Sequence, residues 1–167
     1  MAKLNSMQDL AIHKLQDLYD AENQILKALP EMIEAASTDQ LKQSFQTHLE
    51  QTKGQVQRLE QIFKQLGEKP GGEKCKAMEG LIKENQKIIK EGGQPEVLDA
   101  ALIAGAQSVE HYEIAGYGTA RTIAQALGMN EAAQLLEQTL EEEKQTDAKL
   151  TKLAEQNVNP KAQQAGA

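Results

Sequence analysis

The chain has little that would build a sheet and almost nothing that would cross-link it. It contains no tryptophan, 3% aromatic residues and a single cysteine, Cys75, in 167 residues. One cysteine excludes an internal disulfide framework and any cysteine-rich metal site, and it makes a reducing cytoplasm the expected compartment. Positive charge is also short. Lys and Arg number 18 against 25 Asp and Glu, a formal net charge of −7. Such a chain is not drawn to phosphate backbones or anionic lipid, so neither a nucleic-acid nor a membrane partner is expected. Apolar runs are short, as in ALIAGA, far below the roughly 20 residues of a membrane span. The N-terminal stretch lacks a continuous apolar segment, so no signal peptide is expected. Nothing resembles a phosphate-cradling loop or a nucleophile elbow. What remains is rich in Ala, Leu, Gln, Glu and Lys, a helical composition of single-domain length.

Periodicity divides the chain into five helical segments. The first is expected from about Asn5 to Ala36, with Leu15, Leu18, Glu22, Ile25, Leu29 and Met32 on one face. Pro30 falls inside it and predicts a kink, or a break just before. Ser37, with Gln40 three residues on, reads as a capping box opening a second helix that Gly67 ends after Leu66. Pro70-Gly71-Gly72 is a break, and a short amphipathic helix follows from about Glu73 to Lys90. After Gly92-Gly93, Pro95 suits the first turn of a helix running to about Leu127. Asn130 is placed to cap the last one, to about Asn157. The layout is a helix pair (5–66), a crossover with its own short helix (68–94) and a second pair (95–157). Together they form one bundle over 1–159, with a disordered tail at 160–167. About 28 residues separate the two pairs, and a helix of about 17 residues covers roughly 25 Å. That reach can return the chain and set the third long helix parallel to the second, the single-crossover connectivity of ferritin-like bundles. The alternative is a plain up-down bundle with a loose linker.

At about 100° per residue, several acids fall on the apolar stripes. Glu22 lies on the first helix's inner face. Glu113 lies inside the third long helix's arc with Glu110 at its edge, about 4.5 Å apart along the axis. Glu143 is central on the last helix, with Asp147 one turn on. The second helix contributes His48, Thr52 and Gln55, with Gln51 at its margin. Neither arginine, Arg58 or Arg121, and no lysine falls at a stripe centre. Buried acids without an organic cation must share protons or hold a metal. Oxygen ligands with an imidazole suit iron or manganese. Taken singly, each acid is more readily a snorkelling edge residue, His48 a core histidine, and Tyr19, Tyr112 and Tyr117 packing groups.

The runs YDAENQILKALPEM, FQTHLEQTKGQVQRLEQIF, KCKAMEGLI, DAALIAGAQSVEHYEIAGYGTA and LEEEKQTDAKL resemble the YciF/YciE family of bacterial stress proteins, over about Met7 to Asn159. The resemblance implies an all-α, ferritin-like four-helix bundle with one long crossover carrying a short fifth helix. It implies a homodimer, a general stress association and a metal site, but no reaction. Ferritin-like di-iron sites place a Glu on the first and third helices and Glu-x-x-His on the second and fourth. Glu22 fits the first, Glu110 or Glu113 the third, and Glu143 the fourth. Thr146 stands where the fourth helix would carry His, with Asp147 beside it. Thr52 and Gln55 occupy the second helix, with His48 one turn earlier.

Two functions follow as expectations. The first is binding of one or two iron or manganese ions by Glu22, Glu110, Glu113, Glu143, Asp147 and His48, for redox chemistry or metal handling. The second is a metal-free homodimeric interaction bundle that has lost this chemistry, with Ile82 and Ile89 of the connecting segment as a possible dimer face.

Overall fold

The structure is a computed structural model, and it describes residues 4–165. Its helices are α1 (Met7–Ala35), α2 (Asp39–Leu66), α3 (Lys76–Glu91), α4 (Pro95–Ala126), α5 (Asn130–Leu153) and, after a π-helical turn at Ala154–Val158, α6 (Asn159–Ala165). No strand occurs among the described residues.

Local chemistry explains most helix ends. Ser6 caps α1 by accepting the Asp9 N–H at 3.1 Å. Gly67 ends α2 in the left-handed region, φ 68°, with the Glu68 N–H reaching back to the Phe63 carbonyl at 3.0 Å. Pro95 opens α4, where its missing N–H costs nothing. Four expectations are corrected, the first being the break before Pro30. The helix runs through Pro30 without a break; Pro30 is exposed, and its lost donor lies near the helix end. Ser37 does not form a capping box. Thr38 is the cap residue and makes no side-chain cap bond, while Asp99 of α4 takes the Ser37 N–H (2.6 Å), the Ser37 hydroxyl (2.9 Å) and the Thr38 N–H (3.1 Å). Asn130 is the first residue of α5 rather than its cap. The segment expected to be a disordered tail is helical through Ala165, with α6 against α4 and Val158 buried before it. Residues 166–167 lie outside the described residues.

The four long helices form a ring in which α1 packs on α2 and α4, and α5 packs on the same two. Asp17 meets Tyr112 while Ser37 meets Asp99, so α1 and α4 are antiparallel. Tyr19 packs edge-on against Phe63, so α1 and α2 are antiparallel too. It follows that α2 and α4 run parallel, on a diagonal of the ring. The crossover that connects them carries α3, which lies against both α1 and α4. Asn85 of α3 is buried against Gly105 of α4, where a Cβ would fall 1.6 Å from the amide oxygen. Ile82 and Ile89 are half-buried and pack on the core rather than standing free.

Two apolar clusters fill the interior. One includes Leu15, Leu18, Leu59, Phe63, Leu136 and Leu140; the other includes Ile25, Leu29, Phe45, Leu102, Val109 and Leu150. Buried polar residues interrupt the apolar order at mid-bundle, close to where each long helix passes from one cluster to the other: Glu22; His48, Thr52 and Gln55; Glu110 and Glu113; Glu143 and Thr146.

Candidate metal centre

His48 of α2, Glu110 and Glu113 of α4 and Glu143 of α5 converge, and one ligating atom from each lies within 4.8 Å of the others. All four are buried, with Glu113 and Glu143 at 0% exposure. The helical repeat causes this. Glu110 and Glu113 are less than one turn apart on α4, and α5 runs antiparallel to α2, so Gln55 meets Glu143 and Gln51 meets Thr146. Glu22 joins from α1, also fully buried; its Oε1 accepts the Tyr117 hydroxyl. Asp147 does not join the cluster. It is about one-fifth exposed, and faces Gln107 at 2.9 Å and His111 at 3.3 Å on the α4–α5 rim.

Electrostatics follow from burial. Burial, then the charge of Glu143, holds the Glu22 carboxyl well above the usual range. Burial, then the charges of Glu22 and Glu143, does the same for Glu113. Burial and the hydrogen bond with Glu143 raise Glu110. Glu143 is pushed up to about 7 by burial, against the opposing hydrogen bonds of Glu110 and Gln55. Burial lowers His48 to about 4. His48 Nδ1 lies 3.4 Å from a Glu110 oxygen, but at neutral pH the imidazole is uncharged and this contact is not an ion pair.

The donors present fit a hard cation. No N–H or hydroxyl reaches Glu22 Oε2, Glu110 Oε2, Glu143 Oε2, His48 Nδ1 or either oxygen of Glu113, all of them buried, so the carboxyls have only one another to share a proton with. A buried carboxylate oxygen left so is costly unless protonated or bound to a cation. Among the described residues no lysine or arginine forms an ion pair with Glu22, Glu113 or Glu143; Arg58 goes instead to Glu142 and, at 3.0 Å, to the Thr139 hydroxyl. Carboxylates with one neutral imidazole suit iron and manganese.

One participant escaped the sequence reading, and a second, Gln55, stands where it was expected. Tyr117, read there as packing, is the hydrogen-bond donor to Glu22. It stands four residues after Glu113, so the same wheel that found Glu113 places it on the inner face. Gln55 donates to Glu143 and, at 3.2 Å, to Glu142. A neutral amide thus stands on α2 where a metal site would want a carboxylate. Tyr112 is tied elsewhere, donating to Asp17 at 2.6 Å and facing the Cys75 thiol at 2.9 Å.

Comparison with known proteins agrees along the chain. Protein YciF of Escherichia coli K12 is 50% identical over 161 residues, 96% of this chain and 97% of that one. The crystal structure of the E. coli stress protein YciF superposes with a TM-score of 0.89 at 51% identity, covering 93% of this chain and 98% of that one. YcfI of Rhodopseudomonas palustris, provisionally called a structural protein, superposes with a TM-score of 0.87 at 48% identity, over 89% of this chain and 95% of that one. A protein of Xanthomonas campestris, 18% identical, shares the fold with a TM-score of 0.77 over 97% of this chain and all of its own. Residues 6–163 match the family described as Domain of unknown function (DUF892), and the chain belongs to it.

Proposed function

We propose that the protein is a ferritin-like bacterial stress protein that binds iron or manganese at its inner carboxylate cluster. The ferritin-like assignment is supported by the ring of four long helices, the parallel α2 and α4 on its diagonal, and the single crossover between them. The stress association comes by likeness to the E. coli relative. The observation that carries the metal reading is the set of buried, unpartnered oxygens facing one another from α1, α4 and α5.

Glu113, Glu143, Glu110 and His48 would hold the ion, with Glu22 beside them. A bound iron or manganese ion supplies one-electron chemistry and Lewis acidity. The chain supplies the rest. His48, uncharged at neutral pH, presents a free lone pair. Tyr117 orients Glu22 through its hydroxyl, and Gln55 orients Glu143 through its amide. The apolar clusters on either side exclude water. On this reading the protein works in the cytoplasm as a homodimer. Its charge of −7 argues against nucleic acid, and no helix among the described residues is long and apolar enough to cross a membrane. Equilibrium dialysis against Mn(II) tests the reading: saturable binding that is lost in Glu113→Ala supports it.

A specific observation favours a second reading, a metal-free structural or interaction bundle. The α2 helix offers only His48, Thr52 and Gln55, and the Gln55 amide already serves Glu143. The provisional description of the R. palustris relative points the same way. On this reading, Glu22→Gln with Glu143→Leu raises thermal stability in every buffer, because unpaired buried acids are removed. Loss of stability on chelation argues against it.

A further inference from the structure

An apolar cavity of about 30 Å³ lies between α3 and the metal centre. Its wall includes Ile25, Leu29, Phe45, Ile82, Val109 and Leu150, and the surface it presents is almost entirely carbon. The wall also includes His48 and Glu110, which belong to the cluster, and Gln86 and Glu31, which join α3 to α1 through a hydrogen bond of 3.0 Å. The cavity therefore extends from a polar bridge beneath α3 to the imidazole and carboxylate of the candidate centre.

We propose that this cavity is a binding site for one small apolar molecule of dioxygen's size, held against the His48–Glu110 side of the centre. Three observations carry this. The volume of about 30 Å³ holds two or three probe spheres of water size, each of about 10–15 Å³, far below the roughly 300–1,000 Å³ of a pocket for a drug-sized ligand. The carbon wall disfavours a water, which needs two to four polar partners. Its contact with His48 and Glu110 makes it more than a packing defect, since a molecule seated there lies beside both. It also gives α3 a task, because Ile82, Asn85, Gln86 and Ile89 of that helix complete the wall. The use of the site by a metal rests on the reading above; the site itself does not.

Xenon is the probe, followed by saturable ¹²⁹Xe chemical-shift changes in solution and by xenon-pressurised crystals of the full chain. The parent is expected to show one saturable site, with density bounded by Phe45, Val109 and Leu150. Ala106→Leu projects a larger side chain from the wall and should lose that site while remaining folded, at a cost in stability of the overpacking kind. Gln86→Ala should keep the site and speed xenon exchange by removing the bridge. Absence of a saturable site in the parent, ordered water in the cavity, or unchanged xenon uptake in a folded Ala106→Leu would overturn the proposal. Should Ala106→Leu not fold, the parent's density decides. The parent and Glu143→Ala together separate the two readings. A parent that takes up xenon but no Mn(II) sinks the metal reading and leaves the cavity; a parent that holds Mn(II) but takes up no xenon does the reverse; Glu143→Ala that loses Mn(II) and keeps xenon supports both.

Discussion

Tyr117 donates its phenolic hydrogen to Glu22 from the antiparallel helix α4, and neither side chain is exposed to solvent at all. The bond favours the charged form of Glu22 and so opposes the effect of burial. Tyr117→Phe removes that donor and leaves both Glu22 oxygens unpaired. A loss of about 1–3 kcal/mol is expected. The loss should be larger at pH 8 than at pH 5, where a protonated Glu22 depends less on the donor. Urea denaturation of metal-free protein at the two pH values measures both.

The raised carboxyls set a pH dependence. Glu143, at about 7 when folded against an ordinary 4.5, binds its proton more tightly in the folded chain. Its stabilisation is complete below about 4.5 and is lost as pH rises through 7. Glu22, Glu110 and Glu113 are shifted in the same direction. His48 runs the opposite way: its folded value near 4 means that stability is lost as pH falls below its ordinary 6.5. Above pH 6.5 only the carboxyls act. Metal-free protein should therefore lose stability from pH 6.5 to 8.5, on the order of 1 kcal/mol from Glu143 alone, the tail of a loss of about 3 kcal/mol that begins near pH 4.5. A divalent cation competes with the same protons, so Mn(II) should stabilise more as pH rises. Thermal melts with and without Mn(II) across this range check the sign.

Asp99 holds the α1–α2 turn from α4 with three hydrogen bonds and no exposure. Asp99→Ala strands three donors and should destabilise the fold by about 2–4 kcal/mol, read from denaturant midpoints. Metal stoichiometry of the folded fraction should not change, because the turn lies at the bundle's end.

How much of this was legible beforehand differs residue by residue. Glu22, Glu110, Glu113, Glu143 and His48 lie on the inner faces where a 100° wheel places them, because long, regular helices keep phase. Asp147 failed the same wheel. One turn beyond Glu143, it meets Gln107 and His111 at the α4–α5 rim, and a single-helix wheel does not contain the neighbouring helix. The Ser37 cap failed because its acceptor, Asp99, is 62 residues away, and local motifs cannot see it. The direction of α4 was readable from the crossover's length, whereas the cavity beneath α3 depends on side-chain shape and left no sequence signal.

Gln55 tests how far the site departs from a carboxylate on every helix. Gln55→Glu replaces the amide donor to Glu143 with another acid. Metal-free, the variant should be less stable by about 1–3 kcal/mol, since a donor is lost and a like charge added. With Mn(II) it should bind more ions per chain than the parent, or bind them more tightly, and isothermal titration calorimetry reads both.

The chemistry proposed for the bundle interior depends on the inner carboxylates holding a cation. Metal content by inductively coupled plasma mass spectrometry addresses it most directly, on untagged protein loaded anaerobically with Fe(II) or Mn(II), beside Glu22→Ala and Glu143→Ala. A stoichiometric amount of iron or manganese is expected in the parent, with a marked loss in both variants. A parent that retains no metal after loading, or variants that retain as much as the parent, would contradict it.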